Sequence, residues 1–185
     1  SLKACNYIER EKGKKAYYLP IATNEKRFGQ PDKLADKSFS CDYCFTGSYW
    51  NDPREIISLL NPGRLPQYTF HLYGKNWADV EKFREYDKGF VKYEDIPKVY
   101  ANTKLLIDDA NRVTKPWGSV NSRVFDALMS GVLVITNGEL GSLDVFEGQL
   151  PVYRNSQELE KLIKEYLDDE EKRLKKVKEL QAMVI

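Results

Sequence analysis

Two short apolar runs, Leu105-Leu106-Ile107 and Val132-Leu133-Val134-Ile135, flank a polar loop and a helical pattern. Both runs have the length and β-branched content of buried strands. Residues 111–118 between them are polar. Val120, Val124, Ala127 and Leu128 then recur at the spacing of one helix face. Ser119, Asn121 and Ser122 are each suited to cap the helix start, and Gly131 ends it before the next strand. Residues 104–136 therefore read as strand, loop, helix, strand. The loop delivers the chain to a helix N-terminus, where unpaired N–H groups and a partial positive charge suit a phosphate. Arg123, one turn inside, adds a planar charged fork.

The same rhythm runs through the neighbouring sequence. A strand at 41–46 ends at Gly47-Ser48. Asp52-Pro53 opens a helix to residue 60, with Pro at the first helical position, and Asn61-Pro62-Gly63 stops it. A strand at 68–73 ends at Gly74. Then follow a helix at 79–86, a short strand at 89–91, a helix at 95–102 with Pro97 in its first turn, and the strand at 105–108. After Thr136 the pattern gives one helical turn at 142–146, a last strand at 151–153, an amphipathic helix at 156–167 and a charged helix at 170–185. Ahead of all this lie a helix at 2–12 ended near Gly13, an extended run at 16–21 broken by Pro20, and a polar loop or linker at 22–40.

Alternating strands and helices with short connections predict an α/β fold with a Rossmann-like, doubly wound parallel sheet covered on both faces. Three parts are expected: 1–40 as helix, strand and linker, 41–167 as the sheet domain, and 168–185 as a charged helix. Ligands of such sheets bind at the carboxyl ends of the strands. The loops after Thr46, Tyr73, Val91, Asp108 and Thr136 are therefore the ones to inspect.

Bulk properties exclude several classes. The 185 residues suffice for one well-buried core, and 42 % apolar with 31 % charged residues is a globular composition. Lys plus Arg number 29 against 28 Asp plus Glu, so overall charge gives no support to nucleic-acid binding. No apolar run approaches the roughly 18 residues of a membrane helix. The chain opens on Ser1 in mid-pattern, as a fragment of a longer protein would. Cys5, Cys41 and Cys44 are too few for a disulfide scaffold. In a strand, spacing of three puts Cys41 and Cys44 on opposite faces. The simplest setting is reducing and cytoplasmic, with the inner face of a membrane as the alternative. His71 is the only histidine and sits mid-strand, which removes Ser–His and Cys–His hydrolase readings and any histidine-rich metal site.

The candidate chemistry is ambiguous residue by residue. Gly47-Ser48 with Arg54 is either a phosphate cradle with a cation or a turn with a solvated arginine. Gly74-Lys75-Asn76-Trp77 is similar, with Trp77 better suited to packing. Asp108-Asp109 could hold Mg²⁺ or accept a phosphoryl group as in a receiver domain. A receiver carries its acids after the first strand, so strand-end caps are preferred. Arg123 and Asp126, three apart on one helix, form either an ion pair or a cation and a carboxylate gripping a nucleotide. The lysine-rich run at 172–178 is flanked by Glu170, Glu171 and Glu179, as on a solvated face.

Taken in order, CFTGSYWNDPREIISLL, YTFHLYGKNW, GFVKYEDIPKVYANTKLLID and GSVNSRVFDALMSGVLVITN resemble the donor-binding C-terminal domain of GT-B fold glycosyltransferases. The nearest likeness is to the CgeB-like branch of the group-1 family, over residues 14–167. The resemblance implies sugar transfer from a nucleotide-diphosphate donor to a glycan, lipid or protein, as in bacterial cell-surface polysaccharide synthesis, without metal or cofactor and with a retaining outcome. It implies ribose binding by Asp126. Backbone groups of Gly118, Ser119, Val120 and Asn121 would meet the diphosphate and sugar, Gly47 and Ser48 would face the phosphates, and Phe90 and Val91 would hold the base through backbone groups; Lys75, from the turn after the second strand, is a further substrate-binding candidate. Arg54 and Arg123 would stabilise the leaving diphosphate. The wider family carries two acids eight positions apart; here the first position is Gly118 and the second Asp126. Ser48 stands where an arginine is usual. An acceptor domain would precede this one, and the 185 residues alone would transfer no sugar. A non-catalytic nucleotide-binding or scaffolding domain is the alternative.

Overall fold

The computed structural model describes residues 1–19 and 21–184, with the backbone only at residue 33. The break expected at Pro20 and the last residue of the expected C-terminal helix lie outside the described residues. Four strands, β1 (Cys41–Thr46), β2 (Phe70–Tyr73), β3 (Thr103–Asp108) and β4 (Leu133–Thr136), form a parallel sheet in the order β2-β1-β3-β4. Registers such as Tyr43 with Phe70 and Leu105, and Leu106 with Val134, align their carboxyl ends. Single parallel bridges extend both edges, Asp87 beside Leu72 and Val152 beside Thr136. Every residue of β2 and β4 is buried, so both sheet faces are covered. The chain leaves β1 for β2 on one side and returns to β3 on the other. That reversal opens a crevice beyond Thr46 and Asp108.

In chain order the helices are α1 (Leu2–Lys12), α2 (Glu25–Phe28), α3 (Glu55–Leu59), α4 (Ile96–Ala101), α5 (Ser122–Met129), α6 (Glu139–Phe146), α7 (Ser156–Asp168) and α8 (Glu170–Gln181). None is long and apolar enough to cross a membrane. The expected α5 is present, with Val124, Ala127 and Leu128 buried and Val120 half-buried before its start. Its C-terminus is closed by α8, where Gln181 donates to the Leu128 carbonyl at 2.7 Å. Val177 and Leu180 of α8 are buried in the same core.

Several expected boundaries differ, each for a local reason. Helix α3 begins after Pro53, because Arg54 is extended at the N-cap (φ −111°, ψ 129°) and donates to the Ser48 carbonyl at 3.0 Å. The 79–86 helix is a 3₁₀ segment, Glu81–Tyr86. Its apolar residues Val80, Phe83 and Tyr86 recur every three positions, the period of that helix. No strand forms at 89–91. Lys88 and Gly89 still bond to Leu72 and Gly74 before the chain turns away. The 22–40 segment is more than a linker, since Asn24 caps α2 and Phe28 packs its ring near Tyr93 and Tyr100. Four residues carry too little periodicity for such a helix to be seen in sequence.

Cys41 and Cys44 do not point to opposite faces. The N–H groups of Asp42 and Tyr43 both donate to the Thr69 carbonyl, a bulge that breaks the alternation. The two thiols come together beside Thr103 and His71. Burial pushes the Cys44 thiol up, while the hydrogen bond from Cys44 draws Cys41 down. All three cysteines are free. His71 is buried and pairs through Nδ1 with the Tyr73 hydroxyl at 3.0 Å.

Two arrangements fix the sheet's carboxyl edge. The loops after β1 and β2 continue their pairing past the strands, with Gly47 N–H to Tyr73 (2.8 Å) and Tyr49 N–H to Lys75 (2.9 Å). Gly74 lies so close that a Cβ there would sit 2.2 Å from the Gly47 carbonyl oxygen. Trp77, fully buried against Phe45, Tyr49 and Phe83, donates its indole N–H to that same oxygen at 2.6 Å.

The second arrangement is the acid pair at the end of β3. Asp108 and Asp109 are each 2 % exposed. Asp108 accepts from Asn121 (2.7 Å) and Thr136 (2.8 Å), with Arg123 at 3.7 Å. Asp109 accepts from Asn137 (2.9 Å) and from the Ile56 N–H of α3, with Arg54 at 3.8 Å. Asn137 also donates to Glu55, which Lys115 holds at 2.7 Å. The Tyr153 hydroxyl closes the set by donating to the Asp108 carbonyl at 2.9 Å.

Trp77→Phe keeps most of the packing but leaves the Gly47 carbonyl unpaired, and should cost about 1–3 kcal/mol in urea unfolding. Trp77→Ala should cost about 3–5 kcal/mol. Arg54→Met strands the Asp109 charge and should cost about 3 kcal/mol, more than the Arg54→Met/Asp109→Asn double variant. Burial raises the Asp109 pKa above its ordinary 3.8. Its stability contribution is then fully present below that value and is lost as pH rises through the raised folded pKa. Unfolding free energies should therefore move in favour of wild type over Asp109→Asn between about pH 7 and about pH 4. A pH-independent difference would contradict this assignment.

Candidate functional site

The crevice at the reversal point holds a cleft of about 280 Å³. Its floor is Thr46, Gly47 and Ser48 after β1, with Tyr73 and Gly74 after β2. Phe90, Val91 and Tyr93 form one wall and Ser122, Arg123 and Asp126 of α5 the other, with Ile96 and Tyr100 of α4 below. Six residues singled out from sequence meet here: Gly47, Ser48, Phe90, Val91, Arg123 and Asp126. Lys75 stands at the rim, its Nζ 4.7 Å from the centre of the Phe90 ring.

The other candidates lie elsewhere. Gly118, Ser119 and Val120 line a separate hollow of about 90 Å³ with Tyr18, Leu19, Ile21 and Phe125. Gly118 is left-handed (φ 73°), and a Cβ on it would meet the Asp144 carboxylate at 2.9 Å. Arg54 faces a third hollow of about 120 Å³ with Trp50, Asp109 and Arg112. Asn121 occupies the N-cap of α5, yet its amide donates to Asp108 and makes no side-chain cap. Side-chain capping therefore does not compete with an anion for the first-turn N–H groups of α5.

The charges are arranged around one ring. The guanidinium groups of Arg54 and Arg123 stand 5.6 and 5.3 Å from the centre of Phe45. Arg123 donates to the Thr46 carbonyl. Burial, then the neighbouring Arg123, holds the Arg54 pKa below its usual range, with Asp109 and Asp108 opposing. Two cations thus share two buried carboxylates and face the same strand end.

Asp126 is 6 % exposed and makes no ion pair with Arg123 among the described residues. Its partner is the Thr23 hydroxyl, at 2.7 Å. Burial raises its pKa, while the Thr23 bond and Arg27 lower it. Sequence reasoning missed Thr23, Tyr93 and Tyr100, and read Ser122 only as a helix cap. Tyr100 closes the cleft floor with its hydroxyl 2.9 Å from Thr46 Oγ1. Tyr93 is exposed and lies under the Arg27 guanidinium at 4.7 Å. Their common signal is an aromatic-rich stretch following the Gly89 turn. Among the described residues no group of three or more His, Cys, Asp or Glu is arranged to hold a metal ion.

Residues 54–185 match the glycosyl transferase-like family. Solved structures of similar fold include WaaG, a glycosyltransferase involved in lipopolysaccharide biosynthesis (TM-score 0.57, 14 % identity, 89 % of this chain and 47 % of that one). AviGT4, a glycosyltransferase involved in avilamycin A biosynthesis, is similar (0.56, 18 %, 91 % and 54 %). So is the catalytic domain of starch synthase IV from Arabidopsis thaliana bound to ADP and acarbose (0.50, 16 %, 89 % and 41 %). The chain spans about half the length of these proteins. No curated protein sequence matches it. The four-stranded parallel sheet is that of one half of the GT-B glycosyltransferases, and the chain belongs to the glycosyl transferase-like family.

Proposed function

We propose that this chain is the donor-binding half of a glycosyltransferase and holds a nucleotide-diphosphate sugar in the cleft beyond β1 and β2. The observation that carries this reading is the meeting of Arg123, Asp126 and the Gly47-Ser48 turn around one cleft at the reversal point of the sheet. The base would lie against Phe90, Val91 and Tyr93. The ribose would lie at Asp126, and the diphosphate near Ser48, Lys75, Arg123 and the start of α5. Glycosyl transfer develops negative charge on the departing diphosphate. Cations held by a rigid acid network stabilise that charge without reorganising, which is where such stabilisation is largest. Arg54 would act from one layer further out, through the field it shares with Arg123. Gly118, Ser119 and Val120 would approach the sugar end, beyond the cleft itself.

A second reading has its own support. The space a side chain at position 118 would enter is taken by Asp144, and both arginines already face buried acids. A non-catalytic nucleotide-binding or scaffolding domain is compatible with both facts. Titration calorimetry with UDP, GDP, ADP and their sugars separates a nucleotide-binding role from a scaffolding one. One nucleotide should bind saturably. Arg123→Ala should weaken it by about 1.5–3 kcal/mol, the worth of a charge-assisted hydrogen bond, and Asp126→Ala by about tenfold or more. No binding to any of them would favour the scaffold. The 185-residue chain should transfer no sugar alone, and glycosyl transfer by it to any acceptor would overturn the half-enzyme assignment.

A further inference from the structure

Asp126 is gripped from outside the cleft. Its Oδ1 accepts the Thr23 hydroxyl at 2.7 Å, across 103 residues of sequence. Thr23 lies just before α2, in a segment that belongs to no strand of the sheet. Asp126, Ser122 and Tyr93 border the cleft on one side and, on the other, a shallow groove lined by residues 22–26. The carboxylate therefore stands in the wall between the two, with Thr23 behind it and the cleft in front.

A carboxylate offers two oxygens with about four acceptor positions. Alone, it turns easily about its last torsion, which is broad. Pinned at Oδ1, it presents Oδ2 in a fixed direction, and the ordering cost is met before any ligand arrives. Burial works against its ionised form, and the Thr23 bond and Arg27 work for it. Arg27 of α2 lies near, Arg123 is one turn earlier on α5, and Lys26 is in the groove, against Glu25 there and the Tyr100 phenol of α4. We propose that Thr23 is a positioning residue that sets the Asp126 carboxylate for a ribose hydroxyl, so that the segment ahead of the sheet tunes affinity for ribonucleotides. This rests on the nucleotide-binding reading above.

The test uses the 185-residue chain and calorimetry with UDP, GDP and ADP, together with the 2′,3′-dideoxy form of whichever binds. Thr23→Val should weaken the ribonucleotide about tenfold (~1.4 kcal/mol) and leave the dideoxy form within about twofold. Thr23→Ser should restore wild-type affinity. Losing the Thr23 bond removes an influence that lowers the Asp126 pKa, so Thr23→Val should also lose ribonucleotide affinity at a higher pH than wild type as the solution is acidified. Wild-type binding with no effect of Thr23→Val removes this inference alone. Equal weakening of both nucleotides removes it too, since Thr23 would then be merely structural. Absence of wild-type binding to all three nucleotides removes the nucleotide reading and this inference together.

Discussion

Two carboxylates buried side by side at the end of the third strand govern the rest of this structure. Asp108 and Asp109 are almost wholly removed from water, a loss worth several kcal/mol for each ion unless partners replace the solvent. The partners come from several elements: Asn121 ahead of α5, Thr136 ending β4 and Asn137 after it, Ile56 of α3, and the guanidinium groups of Arg54 and Arg123. The loops at the carboxyl edge are thus tied to one electrostatic centre. Removing a single partner leaves a charge without its counterpart, which is why the edge behaves as a unit.

The same centre explains a tension in the site. The cations that suit a diphosphate are also needed to neutralise the acids below them. A charge network that is already complete holds its arginines at fixed positions, which favours a preorganised anion site. It also means that an arriving phosphate shares those cations with Asp108 and Asp109. The Phe45 ring offers each guanidinium some attraction, which offsets part of the repulsion Arg54 feels from Arg123.

Much of the architecture was legible in the sequence because its signals are local. The apolar runs of β3 and β4 and the spacing of Val124, Ala127 and Leu128 state their own conformations. The Gly47-Ser48 turn, Arg123 and Asp126 likewise border one cleft, in keeping with the rule that ligands of such sheets bind at the carboxyl ends of the strands. What stayed hidden depends on distant partners. The start of α3 is set by where Arg54 meets the Ser48 carbonyl, and the bulge at Asp42-Tyr43 by the single Thr69 carbonyl just before the neighbouring strand. The Thr23–Asp126 bond joins residues that no spacing rule connects. The separation of Gly118, Ser119 and Val120 from the main cleft is equally a matter of how the segment around Tyr18 and Leu19 packs beside them.

Tyr153 has a consequence for the order in which the molecule can be made. Its hydroxyl closes the acid network from beyond the fourth strand, 45 residues after Asp108. On the ribosome, β1 through β4 can pair while that position is still in the exit tunnel. For that interval the Asp108 carbonyl lacks its last donor, and the edge bridge between Thr136 and Val152 does not yet exist. The Tyr153 bond and the edge bridge are therefore late additions, made by residues synthesised after all four strands and after every residue that lines the cleft.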